Sequence, residues 1–224
     1  MKILLALILA AAIGYFLGSL NFSIIVVKLM KGKDIRTVGS KNAGLTNTYR
    51  CFGPACAGIT LAGDLCKGIL AVSLSQLFAS LLKAGFAPDN DVKYIGFIAG
   101  LCAIIGHVFP IYYGFKGGKG VLVGVSAFLI IEPRVFLALI LIFAAVLALS
   151  KYVSLASIMS AAYAPIAVFL MSLIVDHVGF GRSLLYTVLC IPMTAMVIYM
   201  HRTNIERLRE GSESKFSFKF KNIK

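Results

Sequence analysis

Between Gly106 and Gly120 the chain reads GHVFPIYYGFKGGKG, placing one histidine, two lysines and five glycines between apolar runs. Glycines let successive backbone N–H groups turn toward one ligand, a helix opening at Val121 adds its positive dipole end, and lysine supplies point charge. His107, Lys116, Gly117, Gly118, Lys119 and Gly120 therefore read as an anion cradle suited to phosphate. The plain alternative is a flexible loop whose lysines serve only topology. Four glycines among seven residues, at 114, 117, 118 and 120, are more than solubility requires.

A second donor-rich stretch runs GSKNAGLTNTYR from Gly39 to Arg50. Ser40, Asn42, Thr46 and Asn47 stand around Gly39 and Gly44, and Arg50 closes the stretch with a planar fork that grips two oxygens at once. Taken alone it reads equally well as a helix N-cap and turn. Further on, Asp64 and Lys67 are three apart inside an apolar run, so on a helix they share a face and pair. Charges at membrane depth mark function by default, with a structural ion pair as the alternative. His201 and Asn204 share a helical face in the same way.

Something must hold these groups, and composition says what. Of 224 residues 59% are hydrophobic and 14% charged, with a mean hydropathy of +0.92. Soluble domains lie well outside that range, so the chain is a polytopic membrane protein. Its net charge of +13 then belongs to cytoplasmic loops and not to nucleic-acid binding. The five cysteines are odd in number, form no C-x-x-C pair and mostly sit in apolar runs, so they read as packing residues, with no metal site and no disulfide framework.

Seven apolar runs follow in order: 3–27, 54–82, 92–113, 121–131, 135–149, 153–175 and 183–200. The first continues past any cleavage point a signal peptide would need, so it predicts one retained helix, with Gly18-Ser19 and Asn21 as polar interruptions near its middle. Gly14 and Gly18, four apart, predict close approach of a neighbouring helix. The fourth run has eleven residues, too few to cross unless Lys119 and Gly120 already lie inside the bilayer, so the glycine loop is expected to be recessed. With the amino terminus outside, 16 lysines and arginines fall on the cytoplasmic side and 5 outside, the orientation the positive-inside rule selects. The expected fold is all-α, a polytopic integral membrane protein of seven transmembrane helices with a cytoplasmic carboxyl terminus. It forms a single domain over residues 1–224, with a basic, aromatic tail after about residue 214.

Gly18-Ser19, the G-S-x-N-x-G-x-T-N motif from Gly39 with an arginine three further on, G-D-x-x-K-G from Gly63, G-H-x-F-P-x-x-x-G-F-K-G-G-K-G from Gly106 and H-R-x-N-I-x-R from His201 resemble the PlsY family, the bacterial acyl-phosphate glycerol-3-phosphate acyltransferases. The likeness covers nearly the whole chain in matching order. Two positions depart from it: Lys41 stands where the family usually has glycine, and Asn21 where it usually has proline.

The resemblance implies transfer of an acyl group from acyl phosphate to sn-glycerol 3-phosphate, giving lysophosphatidic acid and inorganic phosphate in a bacterial cell membrane. No metal or coenzyme A site is then needed, because acyl phosphate arrives activated from an upstream acyl-phosphate-forming enzyme. By similarity Ser40, Asn42, Thr46, Asn47 and Arg50 bind phosphate and polarise the carbonyl. Lys116 and Lys119 neutralise charge, and His201 with Asn204 orients glycerol 3-phosphate; Ser19, Asp64 and Lys67 support the site. The proton acceptor stays open between His201 and the acyl phosphate's own oxygens. A covalent Ser40 needs an adjacent base, and none is evident.

A small organic-phosphate transporter is the competing reading, since intramembrane charges and broken helices also build transport sites. Against it, the two halves share no motif. The H-x-x-x-x-D signature of other acyltransferases is missing after all three histidines. The tail alternates Lys215, Phe216, Ser217, Phe218, Lys219, Phe220 and Lys221, which predicts a weak membrane-surface anchor or a solvated tail.

Overall fold

The computed structural model describes residues 1–86 and 90–217. Its helices are α1 (Lys2–Gly18), α2 (Phe22–Lys31), α3 (Leu45–Leu81), α4 (Lys93–Val108), α5 (Val121–Ile131), α6 (Pro133–Ser150), α7 (Val153–Leu170), α8 (Phe180–Tyr199) and α9 (Arg202–Arg209), with short turns at Ile35–Thr37, Ile111–Tyr113 and Met171–Val175. The fold is all-helical, and its apolar surface places it in a membrane. Among the described residues six segments are long and apolar enough to cross: Lys2–Lys31, Leu45–Leu81, Lys93–Tyr113, Pro133–Ser150, Val153–Val175 and Phe180–Tyr199. At 1.5 Å per residue the eleven residues of α5 rise only about 16 Å, half of a hydrocarbon core.

α4 is the central element. Ile95, Phe97, Ala99, Ala103 and Ile104 are all buried, and the Tyr186 ring of α8 stacks on Phe97 at 5.9 Å. α1 reaches it backbone to backbone: a Cβ on Gly18 would lie 2.2 Å from the Ala103 carbonyl, so only glycine fits the contact that the small-residue spacing predicts. Leu137 and Leu141 of α6, Ile166 of α7 and Val188 of α8 remain exposed as a lipid-facing coat.

Two expected boundaries move. The first apolar run is not one helix: it breaks after Gly18, and Asn21 starts α2 by accepting from the Ile24 N–H at 3.3 Å. The break frees the Leu20 carbonyl, which accepts from Lys67 Nζ at 2.7 Å, so the interruption serves a buried charge that an apolarity profile does not see. Ser19 Oγ donates to the Tyr15 carbonyl at 2.8 Å and finishes α1. The second long helix starts at Leu45 and not at Pro54, so Thr46 through Arg50 are helical. Gly53, with φ 80°, kinks α3 ahead of Pro54. Such a kink is where the local composition changes, and that change masks the continuity.

Candidate active site

Around one end of the bundle lies a cavity of about 1010 Å³ with two parts. Its mouth is polar: Ser40, Asn42, Thr46 and Arg50 come from the α2–α3 connection and the start of α3, Lys119 from the glycine loop, and His201 and Asn204 from the α8–α9 junction. Its inner limb is apolar, bounded by Phe128, Leu139, Ala164 and Met193 of four different helices. Both donor-rich segments open helix amino termini onto this space, Gly44 capping α3 and Gly120 capping α5. The first N–H groups of a helix lack internal partners and carry the positive end of its dipole, so two such ends sharing one space favour an anion there.

The loop before α3 is shaped from within. Asn47, 3% exposed, accepts from the Ser40 N–H at 3.0 Å and donates to the carbonyls of Val38 at 3.0 Å and Asn42 at 3.1 Å. Its amide is spent on holding Gly39 to Asn42 in place, so it presents Ser40 and contributes no donor of its own. Lys41 adopts φ 58°, the left-handed region where the resembling family usually carries glycine. Arg36 ties the α2–α3 connection to the glycine loop: its guanidinium donates to the carbonyls of Tyr113 at 2.6 Å and Lys116 at 3.1 Å while pairing with Asp34 at 2.7 Å. Nothing in the sequence marked Arg36 for that task.

The glycine loop folds back on α4. Gly117 and Gly118 donate their N–H groups to the carbonyls of Val108 at 3.0 Å and His107 at 3.1 Å. A Cβ on Gly118 would meet the Ala43 carbonyl and His107 Nε2, each at 2.3 Å, so the three segments close only around glycine. Lys119 is thereby aimed inward and donates to Asn204 Oδ1. Burial pushes the Lys119 ammonium down to about 8. Lys116 remains exposed and is not brought to the cavity wall.

Asn204 is held from its other side. Its Nδ2 donates to Glu213 Oε1 at 2.7 Å, an oxygen that also accepts from Ser154 Oγ at 2.8 Å, while Arg207 pairs with Glu213 Oε2 at 2.7 Å. These three donors hold the Glu213 carboxyl below its usual range against the opposing effect of burial. Glu213 was missed from sequence, where it stands in a polar G-S-E-S turn with no helical spacing to Asn204. His201 is 3% exposed, and its Nδ1 lies 2.7 Å from the Val197 carbonyl. A carbonyl only accepts, so Nδ1 carries the proton and Nε2 keeps its lone pair. Burial first, then the Lys119 charge, pushes His201 down to about 4.

Beneath the mouth, Asp64 and Lys67 pair at 2.8 Å, 1% and 2% exposed, as their spacing predicts. Asp64 and His107 both border the cavity. The described part of the tail packs against the protein. Arg50 donates to the Ser214 carbonyl at 3.3 Å, and the Phe216 N–H donates to the Lys151 carbonyl at 2.6 Å, so the segment crosses the cavity mouth. Residues 218–221 of the expected anchor lie outside the described residues. Cys51, Cys56 and Cys190 are buried as packing residues, whereas Cys66 is exposed on the surface of the bundle. Among the described residues no three His, Cys, Asp or Glu side chains gather as metal ligands would.

A sequence model described as glycerol-3-phosphate acyltransferase matches residues 8–211. The glycerol-3-phosphate acyltransferase of Clostridioides difficile strain 630 is 38% identical over 95% of this chain and 96% of its own. That of Syntrophomonas wolfei is 39% identical over 92% and 94%. A crystal structure of PlsY, an integral membrane glycerol 3-phosphate acyltransferase in its glycerol 3-phosphate form, matches with a TM-score of 0.79 at 32% identity, over 95% of this chain and 96% of that one. The lysophosphatidic acid form matches with a TM-score of 0.76 at 30% identity, over the same shares. Likeness of this extent in both sequence and fold places the chain in the glycerol-3-phosphate acyltransferase family, the family of PlsY.

Proposed function

We propose that this chain moves a fatty acyl group from acyl phosphate to the 1-hydroxyl of sn-glycerol 3-phosphate, releasing lysophosphatidic acid and inorganic phosphate. The observation that carries the reading is the two-part cavity: a polar mouth built from two helix amino termini with Arg50 and Lys119, continuous with an apolar limb between α5, α6, α7 and α8. An acyl phosphate has that same division of an anionic head and a hydrocarbon chain. Relatives named for glycerol 3-phosphate, with structures in glycerol 3-phosphate and lysophosphatidic acid forms, support the acceptor and the product.

In this reading the Ser40 loop, Asn42, Thr46 and Arg50 grip one phosphate, and Lys119 neutralises charge where the leaving group departs. Lys116, exposed near the mouth, adds only to its long-range field. His201 Nε2 and Asn204 orient glycerol 3-phosphate. With its conjugate acid near 4, His201 accepts a hydrogen bond from the attacking hydroxyl. It is a poorer proton acceptor than a phosphate oxygen, whose second ionisation lies near 6. The proton therefore passes to a substrate phosphate. The donor arrives already activated, supplied by an upstream acyl-phosphate-forming enzyme.

Seven apolar runs support seven crossings in the bacterial cell membrane, with α5 as the short one, and the charge count supports an outside amino terminus and a cytoplasmic cavity mouth. The whole chain serves as one acyltransferase domain at the first acylation step of phospholipid synthesis. Purified protein in detergent, given acyl phosphate and glycerol 3-phosphate, is expected to release phosphate together with a new lysophospholipid. Flux of unchanged glycerol 3-phosphate across liposomes, without that product, would instead support a transporter.

A further inference from the structure

The two cavity histidines, read by their partners, present opposite faces to the substrate. Lys67 Nζ, buried in the bundle, meets three acceptors: Asp64 Oδ1 at 2.8 Å, the Leu20 carbonyl at 2.7 Å and His107 Nδ1 at 2.8 Å. An ammonium has three protons and accepts nothing. A proton on His107 Nδ1 would point N–H against N–H, so Nδ1 is the acceptor and the neutral ring carries its hydrogen on Nε2. His201 is the reverse case, with Nδ1–H given to Val197 and Nε2 bare.

His107 Nε2–H has no hydrogen-bond partner among the described residues, although the side chain is 4% exposed. It is also absent from the polar atoms that are both shut off from the surface and without a partner, which among the described residues include Ser23 Oγ and Thr60 Oγ1. The donor therefore opens on the cavity that His107 borders, past Gly118, whose missing Cβ would sit 2.3 Å from Nε2. A buried, orphaned donor facing a cavity costs free energy unless a ligand meets it.

Its depth says which ligand atom. His107 lies in the last turn of α4, and Ile104, about one turn deeper, already lines the apolar limb with Phe128. On the other side, across Gly118, comes Lys119 of the phosphate mouth. The atom of an acyl phosphate lying between its phosphate and its chain is the carbonyl. We propose that His107 Nε2–H donates to the acyl carbonyl oxygen and stabilises the negative charge it gains on attack, with Lys67 locking the tautomer that makes this possible. The glycerol hydroxyl forms the new C–O bond while the carbonyl oxygen takes the π pair. Collapse breaks the C–O bond to phosphate, phosphate leaves with that pair, and the hydroxyl proton ends on a phosphate oxygen. His107 gives up no proton; it is an oxyanion donor, and Asp64 and Lys67 are its positioning residues.

The inference rests on the acyl-phosphate reading, and the test separates the two. Wild-type protein that makes no lysophospholipid would overturn that reading whatever His107 does. With active wild type, His107→Phe should lower kcat by about 100-fold or more, the loss expected for one oxyanion donor, with both KM values nearly unchanged. His107→Gln, which keeps a neutral N–H, should recover part of it. A variant with wild-type kcat and a raised glycerol 3-phosphate KM would overturn the carbonyl assignment in favour of phosphate binding. Nitrogen-15 NMR of histidine-labelled protein gives a second reading that needs no variant to be active. His107 should show a protonated Nε2 and His201 a protonated Nδ1, with Lys67→Met abolishing the preference at His107 alone. A protonated Nδ1 at His107 in the folded wild type would overturn the proposal.

Discussion

Charged groups gather at both ends of α4, about 21 Å apart by its rise, and the two ends treat them differently. At the Lys93 end, Lys93 pairs with Glu132 and Asp176, each at 3.0 Å, and Arg134 pairs with the same two carboxylates. Every charge there is answered by protein, and the cluster ties α4 to the α5–α6 and α7–α8 connections. At the His107 end, two helix amino termini, Arg50, Lys119 and the Nε2 atoms of His107 and His201 face one cavity, and the Glu213 carboxylate at the mouth is taken by Ser154, Asn204 and Arg207. The difference teaches how to tell a clamp from a site. Charges satisfied among themselves hold elements together, whereas donors left over mark where a ligand belongs.

The sharpest way to break this comparison is to remove one leftover donor and one satisfied charge. Lys119→Ala should lower kcat by about 100- to 1000-fold, roughly 3 to 4 kcal/mol of transition-state stabilisation. Lys119→Arg should recover only part, because a longer planar fork misfits a glycine-walled pocket. Steady-state kinetics of folded protein will show it, and wild-type turnover of Lys119→Ala would end the site assignment. His201→Ala should raise the KM for glycerol 3-phosphate by about 10-fold or more while leaving that for acyl phosphate nearly unchanged. A fall in kcat with intact binding would make His201 the base instead.

The pH dependence sharpens the same point. Lys119 titrates near 8, so its charge is lost as pH rises and kcat/KM should fall about tenfold per unit above that value. Stability runs the other way. The folded state holds this proton less tightly than the unfolded chain, whose lysine titrates near 10.5, so the Lys119 contribution should grow between about 8 and 10.5. An activity profile flat to pH 10 would contradict the role.

At the opposite end, Glu132→Gln should cost about 1 to 3 kcal/mol of stability with kcat unchanged, since it removes charge-assisted bonds far from the cavity. Thermal unfolding alongside activity checks it. The smallest effect belongs to Lys41→Gly, which relieves a left-handed residue but frees the unfolded chain, for a net gain of about 0.5 kcal/mol. A loss of stability there would show that the Lys41 side chain has a role of its own.

The sequence made the local features legible and left the convergent ones hidden. Asp64 and Lys67 were paired from spacing alone because a helix imposes that geometry, and α5 was seen to be short because eleven residues have a fixed rise. The break at Leu20 was not visible as a break, since the partner that answers its freed carbonyl is Lys67, 47 residues later. Glu213 was missed because it stands outside any helix, where no spacing ties it to Asn204 and Arg207 of α9, and its third partner Ser154 lies 59 residues earlier. Asn47 was assigned to phosphate because an amide in a donor-rich motif looks available, and only the folded loop shows that amide already engaged.

Acyl transfer at this cavity is tested most directly by an acyl phosphate carrying oxygen-18 in the bridge between carbonyl carbon and phosphorus, mixed with purified protein and glycerol 3-phosphate. Attack at the carbonyl leaves the bridge on phosphorus, so the account predicts labelled inorganic phosphate and unlabelled lysophosphatidic acid in equal amounts, both suppressed in Lys119→Ala. Label recovered in free fatty acid beside a bisphosphorylated glycerol would mean phosphoryl transfer and would contradict it.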